Sequence, residues 1–275
     1  MSQEKYKDLQ ELLRKMGKVA VAFSGGVDST FLLKVAVDTL GKNGAIALIG
    51  DSESFPRREK EEAEEIAKSF GVKFLVVKSE ELSDPRYAEN PPDRCYFCKH
   101  SLFSRLSKLA KEEECSFLLD GNNADDRGDW RPGQRAAREI GVRSPLMESE
   151  LTKNEIRELS RNLNLSTAEK PSFACLASRL PYGTPVTREA LARVEASENF
   201  LHDLGFGQIR VRHHGDLARI ELEPGDFSKF LEPSLRERIG EALKEFGYQF
   251  VALDLDGYRT GSMNRGLAER KKIEH

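Results

Sequence analysis

The alternation of apolar runs with helical segments over the first half of the chain is the feature that most constrains the fold. An amphipathic helix comes first, with apolar side chains at helical spacing from Tyr6 to Met16. The apolar runs that follow are KVAVAF, AIALIG, VKFLVV and SFLLDG, and the helical segments lie at residues 28–40, 56–70 and 98–113. This order predicts an α/β fold, a doubly wound parallel sheet with helices on both faces. Ligands of such sheets bind at the carboxyl ends of the strands.

A second, smaller domain is predicted after the sheet. Thr152 and Glu155 have the spacing of a capping box, which starts a helix. The later run KPSFACLASRLPYGTP is rich in Pro, Gly and small residues and is typical of a functional loop at a domain boundary. From Thr187 the pattern is a helix, two alternating strands, a helix and a strand. We therefore predict an α/β domain over residues 1–180 and a smaller α+β domain over residues 181–275.

The composition fits a globular protein with a well-solvated surface. Charged residues make up 32% of the 275 residues and the formal net charge is −3, so no polyanionic partner is implied. No apolar run approaches the length that crosses a bilayer. The charged, amphipathic N-terminal segment lacks the apolar stretch of a secretory signal. We expect a cytoplasmic protein that binds neither membrane nor nucleic acid.

The hexapeptide SGGVDS, residues 24–29, lies between the first apolar run and the helix after it. Glycine-rich turns in that position bind phosphate, because backbone N–H groups and the positive end of the helix dipole point at the anion. Neither a Walker A loop nor a GxGxxG fingerprint is present. A carboxylate repels phosphate, so Asp28 is expected to hold Mg²⁺ or to orient the attacking group. The predicted nucleotide-binding residues are Ser24, Gly25, Gly26, Asp28, Ser29 and, at the end of a later strand, Gly121.

Three of the four cysteines are candidates for metal or sulfur chemistry, because a disulfide framework is not expected in a reducing compartment. Cys95 and Cys98 form CYFC at the head of a helix, and Cys175 lies in the loop FACLASR. Three thiolates suit zinc with a fourth ligand such as His100, or a [4Fe–4S] cluster with one open iron. The spacing alone does not decide between a cluster, zinc and no metal. Cys115 begins an apolar run and is interpreted as a buried hydrophobe.

SGGVDS resembles the signature of the PP-loop ATP pyrophosphatases, which split ATP between the α and β phosphates. Further blocks that together cover nearly the whole chain resemble the LarE family of ATP-dependent sulfur transferases. These blocks are SESFPRREKEEAEEIAKSFGV, PPDRCYFCKHSLFSRL, LLDGNNADDRGDWRPGQRAAREIGVRSPL, KPSFACLASRLPYG and IRVRHHGDLARIELEPGDF.

The resemblance implies a reaction. Carboxylates of a pyridinium biscarboxylic acid mononucleotide are adenylated with ATP and Mg²⁺ and are then converted to thiocarboxylates, a step in building the nickel-pincer nucleotide cofactor of lactate racemase. Residues 1–180 would bind ATP and carry the cysteines, and residues 181–275 would bind substrate and mediate oligomerisation. A homo-oligomer is implied, with a hexamer as its expected size.

The three-cysteine pattern resembles the form of the family that holds a [4Fe–4S] cluster and takes sulfide from a donor. The implied catalytic residues are Asp28, Cys95, Cys98 and Cys175, of which the three cysteines are the implied cluster ligands. Another form of the family sacrifices a single cysteine in the loop before the SR-PYG block, which corresponds to Cys175 here. The three-cysteine pattern of this chain departs from that form, so the resemblance implies a reusable cluster.

The resemblance also implies residues for substrate and for a divalent metal ion. The arginines implied to bind substrate are Arg179, Arg210 and Arg212, and the carboxylates implied to hold the metal are Glu198, Glu221 and Asp226. Arg210 and Arg212 alternate along one face of a strand, so both guanidiniums can reach one phosphate or carboxylate. The candidates for Mg²⁺ in the loop after Gly121 are Asp126 and Asp129, and those for pyrophosphate are Arg131 and Lys99.

Three other functions remain open on the sequence. A PP-loop tRNA thiolase can combine three cysteines with a cluster, but it needs a wide basic surface or zinc knuckles, and the net charge of −3 argues against it. An ammonia-using adenylating synthetase would make Cys95 and Cys98 incidental, so their mutation separates the two chemistries. A non-catalytic nucleotide-binding module would not exchange pyrophosphate into ATP.

Overall fold

A computed structural model of the protein describes residues 2–127, 132–171 and 173–259. The helices are α1 Ser2–Met16, α2 Val27–Leu40, α3 Arg57–Ser69, α4 Pro85–Ala88, α5 Arg94–Glu112, α6 Pro132–Ile140, α7 Pro145–Glu148, α8 Lys153–Asn162, α9 Arg188–Asp203, α10 Phe227–Phe230 and α11 Pro233–Glu245. The strands are β1 Val19–Ala22, β2 Ala45–Asp51, β3 Lys73–Lys78, β4 Phe117–Leu119, β5 Ile209–His214, β6 Leu217–Leu222 and β7 Phe250–Leu253. The chain divides into two compact units, the first comprising the described residues up to 87 and from 92 to 173, and the second the described residues 88–91 and from 174 onward.

The first unit contains a parallel sheet of strand order β3-β2-β1-β4. The central strand is β1, where Val21 lies opposite Ala47 of β2 on one side and Leu119 of β4 on the other. The chain winds outward from β1 through β2 to β3 and then crosses back to place β4 on the opposite side of β1. The direction of winding therefore reverses between β1 and β4, which is where ligands bind in open parallel sheets.

Helices cover both faces of this sheet, because alternate residues of a pleated strand point to opposite sides. Val19 and Val21 of β1 belong to a core built with apolar side chains of α1, α2, α3 and α8. Ala20, between them, belongs to a second core with Phe103 of α5 and Ala137 of α6. The predicted doubly wound α/β fold is confirmed.

The second unit is built on a three-stranded mixed sheet of order β5-β6-β7. β5 and β6 form an antiparallel hairpin, whose turn contains Gly215 at φ +66°. β7 pairs in parallel with β6. The core beneath this sheet contains Leu201 of α9 and Ile239 of α11. The order of elements from α9 onward matches the predicted αββαβ pattern, with the short α10 added.

A short segment from the first half of the chain, residues 88–91, belongs to the second unit. The Asn90 side-chain amide donates to the carbonyls of Pro181 and Thr184, both at 2.8 Å. The Val186 amide donates to the Ala88 carbonyl at 2.8 Å. Residues 174–180 also belong to the second unit, so the division falls at 173/174, whereas the sequence places it at 180/181.

Two helices differ from the sequence-based expectation. α5 begins at Arg94, so the CYFC motif lies inside its first turns. α6 is not predicted from the sequence, and its buried side chains are the small Ala136 and Ala137. None of the helices in the described part of the chain combines the length and the apolar character needed to cross a membrane.

Candidate active site

The loop of residues 24–29 leaves β1 and enters α2 through a turn that only glycine fits. Gly25 has φ +69°, a left-handed conformation that glycine adopts without strain. A Cβ atom at Gly25 would also lie 3.0 Å from the Cβ atom of Ala63 in α3. The turn is therefore shaped by backbone that packs directly on α3, and its own N–H groups are its main functional groups.

The N-terminus of α2 is arranged to accept a negatively charged group. Gly26 is its N-cap residue and, having no side chain, does not cap the first-turn N–H groups. The Ser24 and Ser29 hydroxyl oxygens lie 3.2 Å apart beside this turn, and the Ser29 hydroxyl donates to the Gly26 carbonyl at 3.2 Å. Uncapped N–H groups at the positive end of a helix dipole form a binding site for phosphate.

Gly121 follows β4, on the other side of the point where the winding reverses. A Cβ atom there would lie 3.0 Å from the backbone nitrogen of Ser29. Only glycine lets the end of β4 come this close to the first turn of α2. Gly121 thus borders the predicted phosphate site, and its contact with a nucleotide remains a prediction.

Asp28 is held by two side chains from distant parts of the chain. The Lys153 ammonium donates to Asp28 Oδ2 at 2.5 Å, and the Asn123 amide donates to Asp28 Oδ1 at 3.3 Å. Lys153 and Asn123 lie 125 and 95 positions from Asp28, and the sequence analysis missed both. The capping box of Thr152 with Glu155, which is present as predicted, locates the start of α8 but does not reveal that Lys153 turns towards Asp28.

Asp126, a predicted Mg²⁺ ligand, takes part in a local capping arrangement. Its Oδ2 atom accepts the Asn123 backbone N–H at 3.0 Å, and Asn123 Oδ1 accepts the Asp125 N–H at 3.0 Å. Together these bonds form a capping box around the short turn of residues 124–126. Asp126 therefore fixes the orientation of Asn123, which in turn contacts Asp28.

The other residues predicted around pyrophosphate have different placements. Lys99 is exposed on α5, with its ammonium 5.2 Å from the centre of the Phe103 ring. Asp120, which follows β4, is buried, and burial raises the pKa of its carboxyl group, an effect that the positive charge of Lys99 opposes. Asp129 and Arg131 lie outside the described residues.

Lys170 is a cation that the sequence analysis missed beside the loop of residues 24–29, which we call the phosphate loop. Its ammonium lies 3.3 Å from the Gly25 carbonyl oxygen. It also forms ion pairs with two carboxylates of α3, at 2.7 Å from Glu59 and 2.8 Å from Glu62. No local sequence signal points to this contact, because Lys170 lies 145 positions from Gly25.

Cys95 and Cys98 lie one turn apart in the first two turns of α5. Cys95 is exposed and Cys98 is half-buried. Spacing of i and i+3 places both on the same face of the helix, so both sulfur atoms can reach one metal centre. His100, considered as a fourth ligand, is exposed and contacts the Tyr96 ring at 5.7 Å between centroids.

Cys115 differs from the other cysteines in its surroundings. It is buried in the core on the α5 side of the sheet, in line with its interpretation as a hydrophobe. Burial raises the pKa of its thiol, and this disfavours the thiolate that metals bind.

The loop that carries Cys175 in the second unit is fixed by Arg179. This side chain is 1% exposed and forms a bidentate ion pair with Glu198, both N–O distances being 2.9 Å. Its Nη1 atom donates to the carbonyls of Ala174 at 2.6 Å and Cys175 at 3.1 Å. The sequence predicts Arg179 as a substrate-binding residue. In the structure this buried guanidinium holds the loop that carries Cys175, and substrate binding by Arg179 stays a prediction.

Arg212 also holds the loop that carries Cys175 in place. Its guanidinium donates to the Ser178 carbonyl at 2.9 Å and to Glu221 at 2.6 Å, and Glu221 is 1% exposed. Arg210, also buried, lies with its guanidinium 5.1 Å from the centre of the Tyr258 ring. Burial, followed by the positive charge of Arg179, lowers the pKa of Arg210. Substrate binding by Arg210 and Arg212 stays a prediction.

The expected divalent-metal site on Glu198, Glu221 and Asp226 is not supported by the arrangement of these side chains. Over residues 2–127, 132–171 and 173–259, no group of three or more His, Cys, Asp or Glu side chains is placed to hold a metal ion. Glu198 and Glu221 instead neutralise buried arginines. Buried carboxylates in such pairs are already compensated and do not need a cation.

The chain is similar in sequence to several known proteins. A family model described as NAD synthase matches residues 3–94. The chain is 38% identical, over 94% of its length and 92% of the relative's, to the pyridinium-3,5-bisthiocarboxylic acid mononucleotide synthase of Lactiplantibacillus plantarum. It is 40% identical, over 98% of its length and all of the relative's, to an uncharacterized protein of Synechocystis. A glutamine-hydrolyzing GMP synthase chain of Archaeoglobus fulgidus is 25% identical over 65% of this chain and 59% of its own.

A parallel sheet whose phosphate loop lies at the reversal point, together with these similarities, defines an ATP-dependent enzyme of the PP-loop class. Within that class the agreement with the L. plantarum synthase extends over nearly the whole of both chains. The chain belongs to the LarE family, the family of that synthase.

Proposed function

We propose that this protein is an ATP-dependent sulfur transferase that converts carboxylates of a pyridinium biscarboxylic acid mononucleotide into thiocarboxylates during synthesis of the nickel-pincer nucleotide cofactor. The observation that carries the proposal is the 38% identity, over 94% of this chain, to a protein named for that product. The anion-binding turn at residues 24–29 supports the ATP-using half of the reaction.

Two chemical steps account for the product. A substrate carboxylate oxygen attacks the α-phosphorus of ATP. The bond from that phosphorus to the oxygen that bridges to the β-phosphate breaks, so pyrophosphate departs and an acyl-adenylate remains. A sulfide then attacks the acyl carbon and loses its proton to solvent, while the bond from that carbon to AMP breaks. AMP departs with one former carboxylate oxygen, and a thiocarboxylate remains.

The chain's residues supply charge stabilisation for the first step. The N–H groups at the start of α2 and the hydroxyls of Ser24 and Ser29 would hold the phosphates, so that developing negative charge meets fixed dipoles. Mg²⁺ fits beside them, because the Asp28 carboxylate offers hard oxygen ligands at the edge of the loop. Asp28 would then exchange its ion pair with Lys153 for the metal ion, which neutralises phosphate charge when bound.

The cysteines support the sulfur-delivering half. Three thiols form a soft donor set suited to iron. Cys95 and Cys98 share a helix face, and Cys175 lies in a loop fixed by a buried arginine. We propose that these three residues hold a [4Fe–4S] cluster, which supplies a reactive sulfide at its open iron when bound. Sulfide would come from an external donor, and the chain would act as a homo-oligomer.

The similarity to NAD synthase supports only the ATP-using part of the proposal. Its family match ends at residue 94, immediately before Cys95, and so does not include the residues proposed to deliver sulfur.

Anaerobic reconstitution with iron and sulfide, followed by turnover with the mononucleotide and Mg-ATP, tests the proposal. Thiocarboxylate product should form over many turnovers, and Cys175→Ala should abolish it. Cys115→Ala is the matched control, because that buried thiol lies in a core and should leave product formation intact. Product formation that survives unchanged in Cys95→Ala and Cys98→Ala would contradict the cluster. One product per chain, with loss of H₂S from the Cys175 peptide in mass spectra, would identify the sacrificial form instead.

A further inference from the structure

The ammonium of Lys170 occupies an unusual position beside the phosphate loop. The side chain is 12% exposed, and its nitrogen is 3.3 Å from the Gly25 carbonyl oxygen. Two carboxylates, Glu59 and Glu62, face the same nitrogen at 2.7 and 2.8 Å. One cation and two anions thus meet at the edge of a turn that is otherwise arranged to bind an anion.

This arrangement is electrostatically unfavourable for a bound polyphosphate as it stands. The Glu59 and Glu62 carboxylates together carry more charge than the Lys170 ammonium and would repel phosphate oxygens, and the shielding of Lys170 and Glu59 from solvent strengthens such charge interactions. The same nitrogen is within one hydrogen bond of the loop backbone. A phosphate oxygen held by the neighbouring N–H groups would therefore lie within reach of the ammonium, which lysine offers to phosphates as a point charge.

We propose that Lys170 is a pyrophosphate-binding residue, held at the loop by Glu59 and Glu62 until the nucleotide arrives. When the β- and γ-phosphates occupy the loop, the ammonium exchanges at least one carboxylate for a phosphate oxygen. Lys170 then stabilises the charge on the leaving pyrophosphate. The inference rests on the proposed cleavage of ATP between its α and β phosphates.

A purely structural role makes a different prediction. If Lys170 only braces the turn against α3, then loss of either Lys170 or Glu62 removes the same ion pair and should weaken ligand binding in the same direction. If Lys170 binds pyrophosphate, the two variants should act in opposite directions. Glu62→Gln removes a competing negative charge and leaves the ammonium free for the ligand.

Titration calorimetry with Mg-pyrophosphate on the purified full-length protein distinguishes these roles. Lys170→Gln should weaken binding roughly ten- to hundred-fold, the scale of a lost charge-assisted hydrogen bond. Glu62→Gln should tighten it roughly two- to five-fold. Lys170→Arg should restore most of the lost affinity. Lys34→Gln, which removes a half-exposed lysine paired with Asp38, is the matched control and should change binding by less than about two-fold.

Three results would overturn the inference. Unchanged affinity in Lys170→Gln, with wild-type binding intact, would leave the proposed ATP chemistry standing and remove Lys170 from it. Weaker binding in Glu62→Gln would mean that the Lys170–Glu62 ion pair only holds the turn against α3. Thermal unfolding would then show similar losses of stability in Lys170→Gln and Glu62→Gln. Wild-type protein that neither binds pyrophosphate nor exchanges it into ATP would overturn the proposed function together with this inference.

Discussion

The phosphate loop of the first unit and the Cys175 loop of the second are two candidate functional segments, and they are built in different ways. Residues 24–29 form a contiguous turn whose shape comes from backbone, with Gly25 at φ +69° packed on Ala63. The Cys175 loop is held by two buried arginines, Arg179 and Arg212, which donate hydrogen bonds to its carbonyl groups. Arg179 is paired with Glu198, and Arg212 is paired with Glu221.

Because the two loops are built differently, different kinds of substitution should destabilise them. A backbone-built loop tolerates changes around it and fails when a glycine gains a side chain. A loop held by buried charge fails when one partner of a pair is removed, because the other charge stays buried without compensation.

The largest expected effect is in the second unit. Arg179→Met should destabilise it by about 3–5 kcal/mol, because Glu198 would be left buried and unpaired. Urea unfolding measures the change. Arg236→Gln, at an exposed position of α11, is the control and should stay within about 0.5 kcal/mol.

The stability of the double variant that carries both Arg179→Met and Glu198→Gln tests the role of this ion pair further. Removal of the uncompensated carboxylate should recover part of the lost stability, while the carbonyls of Ala174 and Cys175 still lack their donor. A double variant no more stable than Arg179→Met would show that the ion pair is not what holds this unit.

The next effect concerns the backbone of the phosphate loop. Gly25→Ala and Gly141→Ala both force alanine into a left-handed conformation, at a cost of about 1–2 kcal/mol each. Gly141 has open space around it, whereas a Cβ atom at Gly25 meets Ala63 at 3.0 Å. Gly25→Ala should therefore cost a further 1–3 kcal/mol or so. Equal unfolding free energies for the two variants would mean that α3 does not confine the loop.

Asp28→Asn should leave the fold intact, because the Asp28 side chain is 22% exposed, and should slow ATP–pyrophosphate exchange. The expected loss is about 100-fold, the scale of removing one group that stabilises transition-state charge. Asp38→Asn, a half-exposed carboxylate paired with Lys34, should keep the wild-type rate. An unaffected exchange rate in Asp28→Asn would remove the metal-holding role from this residue.

The smallest effect is a pH dependence of the second unit. Burial, reinforced by the charge of Arg193 and opposed by Asp216, lowers the pKa of His213, and burial also lowers that of His214. A lowered folded-state pKa means that the stabilisation is present above the unfolded value of about 6.5 and is lost as the pH falls through the folded value. Stability should therefore fall as the pH is lowered from about 7 to about 5.

Urea unfolding across that pH range checks this dependence. His213→Gln should flatten the curve, and the variant that also carries His214→Gln should flatten it further. His202→Gln, on α9, is the control and should keep the wild-type slope. A slope unchanged in the double variant would place its origin in other groups.

Local patterns were enough to predict much of this molecule. Apolar runs and helical periodicity predicted the parallel sheet, and SGGVDS between a strand and a helix predicted the glycine turn at residues 24–29, because these features depend on neighbours in sequence. Lys153 and Lys170 escaped prediction because their partners Asp28 and Gly25 lie 125 and 145 positions away. The Arg179–Glu198 ion pair escaped prediction as well, because the sequence shows an arginine near Cys175 but does not show which carboxylate it pairs with.

The central claim is that ATP activates a carboxylate for replacement of oxygen by sulfur, and isotope transfer tests it most directly. Mononucleotide labelled with ¹⁸O in its carboxylates should pass one labelled oxygen into AMP for each thiocarboxylate formed, since AMP departs with the displaced oxygen. Thiocarboxylate formed alongside AMP that carries no label would contradict the account.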